Sequence, residues 1–215
     1  MDMKKVGILG GTFDPIHLGH LIIGENAYDE CELENVLVMP SGQPPHKENS
    51  TISDEKHRST MVKLAIAGNK HFEYSDFELK RKGNIYTADT LELLTSKYPD
   101  THFYFILGED SLLDIEKWYE PARIMELCSI VVTHRNDGDD TVLNKHIDYL
   151  KCKYNADISK LDVPLIDISS TNIRERVSQG KTIRYFVNSE VENYIYKNNL
   201  YKEVIEVEQE SKEHQ

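Results

Sequence analysis

The sequence predicts an α/β protein with a Rossmann-like, doubly wound parallel sheet, helices on both faces and a small C-terminal helical part. Short apolar runs alternate with longer amphipathic stretches along almost the whole chain. Glycine, proline and aspartate follow several of the apolar runs, as is typical of turns after parallel strands. The 215 residues are enough for one sizeable domain. We therefore expect a single domain over 1–202, with a helical subregion at about 169–202, and a flexible acidic tail at 203–215.

Apolar periodicity and turn residues locate the individual elements. Strands are expected at about 6–9, 35–39, 72–79, 102–107, 130–133 and 163–168. Helices are expected at about 18–31, 53–67, 87–98, 121–127 and 141–154, after 169–171, and after 188. Thr87 and Asn188 carry polar side chains that can cap the helices they precede, and Pro121 suits a first helical turn.

Composition limits the class of protein. No stretch of the sequence approaches eighteen consecutive apolar residues, and no basic segment precedes an apolar leader. The formal net charge of −12 argues against a general nucleic-acid surface. Three widely spaced cysteines are typical of reduced, structural thiols. We expect a cytoplasmic protein that binds neither membranes nor nucleic acid.

The stretch from Val6 to His20 contains the strongest functional signal. Gly10 and Gly11 end the first strand, and two histidines, His17 and His20, follow near the start of the first helix. At this spacing both imidazoles lie on one helical face, beside an N-terminus that attracts anions. A zinc site is the alternative, but the sequence offers no cluster of further ligands around the pair. The stretch therefore predicts a phosphate site.

Polar residues also follow the later predicted strands. These segments are His46–Lys47, Gly108–Asp110, Arg135 and Ser169–Arg174. Ligands of open α/β sheets bind at the carboxyl ends of the strands, so we expect these residues to share one site with the histidines. Lys47, Arg135 and Arg174 could neutralise phosphates there, although each could also be an ordinary solvated charge.

Other residues of this set have structural alternatives as well. Ser170, Thr171 and Asp110 could bind a nucleotide or simply cap helices. Trp118, the single tryptophan, could stack on a flat ring or pack half-buried. No nucleophile stands beside a general base in a convincing context. The residues therefore favour a transfer reaction that depends on positioning and on charge neutralisation.

The motif Thr12-Phe-Asp-Pro-Ile-His-Leu-Gly-His20 resembles the T-x-x-P-x-H-x-G-H signature of the nucleotidyltransferase superfamily related to class I aminoacyl-tRNA synthetases. Seven blocks in order resemble bacterial nicotinate-nucleotide adenylyltransferases. They are Gly10–His20, Pro45–Lys47, Tyr86–Leu91, Phe105–Asp110, Lys117–Tyr119, Ile168–Arg174 and Arg184–Val187. The resemblance covers residues 6 to about 196.

The resemblance implies adenylyl transfer from ATP to nicotinate mononucleotide, which gives deamido-NAD (nicotinate adenine dinucleotide) and pyrophosphate. It implies that magnesium arrives with the ATP phosphates and that the protein holds no metal ion of its own. The implied catalytic residues are His17, His20 and Arg174. The implied ATP-binding residues are Gly10, Gly11, Thr12, Phe13, His17, His20, Gly108, Asp110, Ser170, Thr171 and Arg174. The implied residues for the mononucleotide are His46, Lys47, Thr87, Trp118, Tyr119 and Arg135.

Two positions depart from the family pattern. Ile85 stands where the family often has serine, and Asn188 where it usually has proline. Two alternatives stay open at this point: another transferase of the superfamily, such as a phosphopantetheine adenylyltransferase or a cytidylyltransferase, and a non-catalytic nucleotide sensor on the same fold. A homo-oligomer is compatible with the sequence.

Overall fold

The computed structural model describes residues 3–42, 52–135, 140–164 and 166–202, and within this part of the chain six strands form one parallel sheet. The strands are β1 (Lys4–Gly11), β2 (Asn35–Pro40), β3 (Phe72–Tyr74), β4 (Thr101–Gly108), β5 (Ser129–Arg135) and β6 (Ile158–Val163). Their order across the sheet is β3-β2-β1-β4-β5-β6. The order reverses between β1 and β4, where doubly wound folds bind their ligands. The predicted fold class is confirmed.

Helices cover both faces of the sheet. They are α1 (Leu18–Glu30), α2 (Glu55–Ile66), α3 (Thr87–Lys97), α4 (Glu109–Leu113), α5 (Pro121–Leu127), α6 (Thr141–Tyr154), α7 (Ser170–Ser178) and α8 (Ser189–Lys197), with a 3-10 helix at Ile115–Lys117. None of the helices described is long and apolar enough to cross a lipid bilayer.

The sheet separates two apolar cores. Successive strand residues point to opposite faces, so Ile8 of β1 belongs to one core and Leu9 to the other. The core on the Leu9 face contains side chains of α1, α2, α7 and α8. The core on the Ile8 face contains side chains of α3, α4, α5 and α6. The last helical pair therefore packs on the same face as the first, as part of the same core.

The third strand is shorter than predicted. The sequence predicts a strand over 72–79, whereas β3 ends at Tyr74, opposite Val38 of β2. Pro40 ends β2 and has no N–H to continue the ladder on this side. Beyond Tyr74 the chain turns instead, and the Lys80 ammonium pairs with the Asp76 carboxylate at 2.8 Å.

The position predicted for the sixth strand is wrong. The apolar run 163–168 suggests a strand, but β6 is the more polar segment before it and pairs only with β5. An edge strand can expose charged side chains, and Lys160 and Asp162 are exposed here. Pro164 cannot donate to the ladder and follows the last strand residue.

The cap predicted for α3 is also wrong. Thr87 is the first helical residue, and Tyr86 occupies the N-cap position without a side-chain hydrogen bond to the helix. The cap predicted at Asn188 is confirmed, because Asn188 accepts from the Val191 N–H at the start of α8. Ser169 accepts from the Asn172 N–H and caps α7 in the same way. Both polar caps satisfy an N–H group that the first helical turn leaves unpaired.

Candidate functional site

The two histidines lie together at the start of α1. His17 is the N-cap residue, and its ring stacks on that of His20 with 3.6 Å between centroids. The His17 backbone N–H donates to His20 Nδ1 over 3.2 Å, which fixes Nδ1 as the acceptor in this contact. The buried ring of Phe13 meets His20 edge-on at 5.0 Å. The predicted pairing of the imidazoles on one helical face therefore matches this geometry.

Both imidazoles are neutral at pH 7. Burial lowers the pKa of His17 to about 4. Burial, followed by the neighbouring His17, also lowers the pKa of His20 well below its ordinary value. His17 Nδ1 is buried, faces the backbone of His20 in a capping-box arrangement and has no full hydrogen bond to a described residue. Leaving such a nitrogen unpaired costs about 1–3 kcal/mol, which a ligand at this position would offset.

Gly19 makes room for the stacked pair. A Cβ atom at this position would lie 3.1 Å from His17 Nδ1 and 3.2 Å from His17 Cε1. These distances are shorter than ordinary van der Waals contacts, so a side chain at position 19 would require the His17 ring to shift. The glycine of the motif therefore favours the observed histidine geometry.

Side chains of α7 hold the loop between β1 and α1. Arg174 donates from Nη1 to the Asp14 carbonyl over 2.7 Å and from Nη2 to Thr171 Oγ1 over 3.3 Å. The Ser170 hydroxyl donates to the Pro15 carbonyl over 2.8 Å. Ser170 therefore uses its proton on the loop, while the remaining N–H groups of the Arg174 guanidinium are available to an anion. This contact brings Arg174 to the histidine loop, as expected from the sequence.

The first N–H of α1 is already in use. The Leu18 N–H donates to the Phe186 carbonyl over 2.9 Å. The His20 N–H likewise donates to the His17 carbonyl over 3.0 Å. The sequence predicts unpaired N–H groups at this helix start, so the anion-binding capacity of the backbone is smaller than expected at these two positions.

A cavity of about 340 Å³ opens at the carboxyl ends of β1, β2 and β4. Its size is within the range of small-molecule sites, about 300–1,000 Å³. The lining residues are Ile8, Gly10, Gly11, Thr12, Met39, Ser41, Glu78, Thr87, Thr90, Leu91, Phe105 and Trp118. Five of the predicted site residues are among them: Gly10, Gly11, Thr12, Thr87 and Trp118.

Aromatic residues form one side of this cavity. Trp118 is partly buried and packs edge-on against Phe105, with 6.3 Å between ring centroids. Tyr119 is 48% exposed and lies 4.6 Å from the Tyr86 ring, beside the lining residues rather than among them. The indole therefore packs half-buried on the core and also faces the cavity, so the two alternatives given for Trp118 do not exclude each other.

The remaining predicted residues are distributed as follows. Gly108 caps α4, and Asp110 is exposed in the first turn of that helix, at the end of β4. Arg135 is the last residue of β5, and its side chain lies outside the described part of the structure. His46 and Lys47 also lie outside the described residues. Every predicted segment that is described lies after the carboxyl end of a strand, although α7 begins several residues beyond β6.

Known proteins are similar to this chain over most of its length. Residues 8–176 match the cytidylyltransferase-like family. A probable nicotinate-nucleotide adenylyltransferase of Lachnoclostridium phytofermentans is 49% identical over 199 residues, which cover 93% of this chain and 100% of that protein. One of the same description from Thermomicrobium roseum is 44% identical over 202 residues, which cover 94% of each protein. The chain belongs to the nicotinate-nucleotide adenylyltransferase family.

Solved structures of lower sequence identity share the fold. The nicotinic acid mononucleotide adenylyltransferase of Plasmodium falciparum, complexed with NaAD, superposes with a TM-score of 0.75 at 22% identity. The aligned region covers 92% of this chain and 97% of the Plasmodium chain. The names of the more similar relatives do not favour the alternative of a phosphopantetheine adenylyltransferase or a cytidylyltransferase.

The sequence does not predict two ionisable residues of this adenylyltransferase family member, the buried Arg58 and the half-buried Glu78. Arg58 is 2% exposed and donates to the carbonyls of Thr12 and Ser41, at 2.7 and 2.9 Å. Glu78 lines the cavity and accepts from the Thr90 hydroxyl over 3.0 Å. Burial raises the pKa of Glu78, while its hydrogen bonds and Arg81 oppose that rise.

Neither of these residues has a local signal that could have identified it. Arg58 lies within α2, and its carbonyl partners are 46 and 17 residues away in the sequence. Glu78 lies in a segment that alternates like a strand. Only the spatial return of these segments to the sheet edge brings Glu78 to the cavity and Arg58 to Thr12 and Ser41, which line it.

Proposed function

We propose that this protein transfers the adenylyl group of ATP to nicotinate mononucleotide, giving deamido-NAD and pyrophosphate. One observation carries the proposal: a cavity with an aromatic wall and a stacked histidine pair both follow the carboxyl end of β1, at the point where the strand order reverses. Such a site has room for a flat acceptor ring next to groups that suit phosphates. The names of relatives at 44% and 49% identity support the same reaction.

The loop between β1 and α1 would bind the ATP phosphates. The unpartnered nitrogen of His17 and the neutral ring of His20 are suited to hydrogen bonds with phosphate oxygens. Arg174 would add a permanent positive charge from the neighbouring helix α7. Gly10, Gly11 and Thr12 border the cavity and would face the nucleotide, whereas the Phe13 side chain is buried and supports His20.

The cavity would bind the nicotinate end of the acceptor. Trp118 would stack on the pyridine ring, and N–H groups near Thr87 and Tyr119 would receive its carboxylate. Ser41 supports a ligand in this cavity, because its hydroxyl is buried and has no partner among the described residues. His46, Lys47 and Arg135 are proposed for the phosphate of the mononucleotide, on the family resemblance alone.

The transfer needs no covalent intermediate on the protein. An oxygen of the mononucleotide phosphate attacks the α-phosphorus of ATP and forms a new P–O bond. The bond between this phosphorus and the bridging oxygen breaks, and the electron pair leaves with pyrophosphate. His17, His20 and Arg174 would stabilise the charge on the phosphate oxygens as the bonds change. Holding both substrates in line could supply about 7–11 kcal/mol of the barrier.

Magnesium belongs to the proposal as an ion carried by ATP. The described residues include no group of three or more histidine, cysteine, aspartate or glutamate side chains that could hold a metal ion. Magnesium keeps several waters and binds substrate phosphates, so the donor set of this site fits an ion held mainly by ATP. When bound, it would neutralise phosphate charge.

A pyrophosphate-release assay tests the proposal. The purified full-length chain is incubated with ATP and magnesium and, in parallel reactions, with nicotinate mononucleotide, nicotinamide mononucleotide or phosphopantetheine. We expect a kcat/KM for nicotinate mononucleotide well above that for either alternative. Equal kcat/KM values for the two mononucleotides would show that the cavity does not select for the carboxylate of nicotinate. Tight ATP binding without pyrophosphate release would favour the nucleotide sensor.

A further inference from the structure

The last described segment of the chain returns to the loop between β1 and α1. Tyr201 follows α8, and its hydroxyl donates to Asp14 Oδ1 over 2.7 Å, across 187 residues of sequence. Tyr201 is partly buried against the core formed by α1, α2, α7 and α8. Burial, together with the Asp14 carboxylate, raises the pKa of Tyr201, so its hydroxyl keeps the proton that it donates.

Asp14 uses both carboxylate oxygens in this region. The carboxylate is nearly buried, with Asp14 only 4% exposed, and Oδ2 accepts from the Ser53 N–H over 3.1 Å. Burial of an ionised carboxylate is costly unless hydrogen bonds and charges replace the lost water. Among the described residues, Tyr201 supplies a donor to one of the two oxygens.

Arg58 completes what we call the Asp14 cluster: Asp14, Ser53, Arg58 and Tyr201. The Arg58 Nε donates to the Ser53 carbonyl over 3.3 Å, so Ser53 contacts both the carboxylate and the guanidinium. The same guanidinium holds the Thr12 carbonyl at 2.7 Å. The cluster therefore fixes the loop at two points, Thr12 and Asp14.

The cluster also contacts the residue that would bind the triphosphate. The Asp14 carbonyl accepts from Arg174 Nη1 over 2.7 Å. Any displacement of Asp14 would therefore move the guanidinium of Arg174 and the helix start that carries His17. Among the described residues the Tyr201 hydroxyl contacts Asp14 and the Met61 sulfur, so its hydrogen-bonded link to Arg174 runs through Asp14.

We propose that Tyr201 is a positioning residue for ATP: through Asp14, it holds the β1–α1 loop and Arg174 in the arrangement that binds the triphosphate. The inference rests on the proposed adenylyl transfer. It makes the C-terminal end of the domain part of the support of the ATP half-site. It should affect ATP more than the acceptor, because Thr12 is the one residue of the β1–α1 loop that lines the acceptor cavity, whose other side is bordered by α3 and by the segment around Trp118.

The test compares Tyr201→Phe with Tyr196→Phe in the full-length chain. Tyr196 lies on α8 and is 39% exposed, so its variant controls for the loss of a phenolic hydroxyl near the C-terminus. Steady-state kinetics give kcat and the KM for each substrate, and calorimetric titration gives the Kd for ATP without the acceptor. Thermal unfolding reports the stability of each variant.

For Tyr201→Phe we expect the Kd and KM for ATP to rise on the order of tenfold, the effect of losing one hydrogen bond to a buried charge. The KM for nicotinate mononucleotide should stay within about twofold of wild type. Tyr196→Phe should match wild type in every parameter. Asp14→Asn should also weaken ATP binding, and the double variant should be less affected than the sum of the single effects, because both act through one contact.

Two results would overturn the inference. One is an unchanged Kd for ATP in Tyr201→Phe, whatever happens to its melting temperature. The other is an equal rise in the KM for both substrates, which would indicate a general loss of structure. Failure of the wild-type chain to use nicotinate mononucleotide would instead refute the proposed function, and the Kd for ATP would still test the role of Tyr201.

Discussion

At the residue scale, the protonation state of the histidine pair would decide how the proposed phosphate site works. Two stacked imidazoles with lowered pKa values bring no net charge to the β1–α1 loop. Among the described residues, two permanent cations contact the backbone of the β1–α1 loop: Arg174 and the buried Arg58. An incoming triphosphate would favour the protonated imidazoles, because an adjacent negative charge raises the pKa of a histidine. Phosphate binding and proton uptake should then be coupled.

His20→Ala tests the electrostatic role of the pair. We expect kcat to fall about 10²-fold or more, as when a hydrogen-bond donor to a transition-state oxygen is removed. Circular dichroism should show an unchanged fold. His102→Ala is the matched control, since His102 lies at the amino end of β4, on the edge of the sheet opposite the site. Wild-type turnover in His20→Ala would exclude the role assigned to this ring.

The pH dependence of stability follows from the lowered pKa of His17. Burial holds this pKa at about 4, against 6.5 for an ordinary histidine. Between these values the unfolded chain binds more protons than the folded chain, so the free energy of unfolding decreases as pH falls from 6.5 towards 4. The contribution of this one residue should be a loss of about 2 kcal/mol at about pH 5.

Urea unfolding of wild type and His17→Gln at about pH 7 and about pH 5 measures this contribution, because the variant lacks the titrating ring. The decrease in stability between the two pH values should be smaller in the variant. An identical decrease in both proteins would mean that His17 is not buried in its neutral form.

At the element scale, the start of α8 illustrates how a departure from the family pattern is accommodated. Asn188 accepts from the Val191 N–H over 3.0 Å. Its amide nitrogen donates to the carbonyls of Leu64 and Ala65, at 3.2 and 3.1 Å, at the end of α2. Asn188 therefore caps one helix at its N-terminus and satisfies carbonyls at the C-terminus of another.

Asn188→Ala should lower the free energy of unfolding by about 2 kcal/mol, because it removes both the N-cap hydrogen bond of α8 and the hydrogen bonds to the carbonyls of α2. Asn188→Ser is the matched control: it keeps a capping oxygen but lacks the amide that reaches α2, so it should cost about 1 kcal/mol. Chemical denaturation provides both values. Equal stability of the two variants would show that the contact with α2 contributes nothing.

Elements with a strong local pattern could be predicted from the sequence, and those that depend on distant partners could not. The run from Val6, the glycine pair and the two histidines predict β1, its turn and the start of α1 within a short stretch. β6 escaped prediction because an edge strand needs no continuous apolar pattern.

The same distinction holds for the candidate site. Trp118, Gly10 and Gly11 are predicted as site residues, because their residue type and their position along the chain both indicate a ligand. All three line the cavity. Arg58 donates to backbone carbonyls, and because every residue has a carbonyl, the sequence does not reveal these partners. Tyr201 has its partner at the other end of the chain.

At the scale of the whole molecule, the metal dependence separates catalysis from folding. We expect turnover to stop when a chelator removes magnesium and to return when magnesium is restored, because the proposed ion is held by ATP. The melting temperature of the protein without nucleotide should not change on chelation, since only ions bound to the folded state alter its stability. A lower melting temperature in chelator would indicate a structural metal ion held by the protein itself.

The sheet keeps the supports of the two substrates apart. The β1–α1 loop is contacted by Arg58, Arg174 and Tyr201, which come from elements packed on the Leu9 face. The cavity is bordered from the Ile8 face by Thr87, Leu91 and Trp118. Apart from Gly10, Gly11 and Thr12, which also line the cavity, the residues proposed for the two substrates could therefore change independently. A transferase of this architecture could acquire a new acceptor through changes in α3 and in the segment around Trp118, while the residues proposed for ATP stay unchanged.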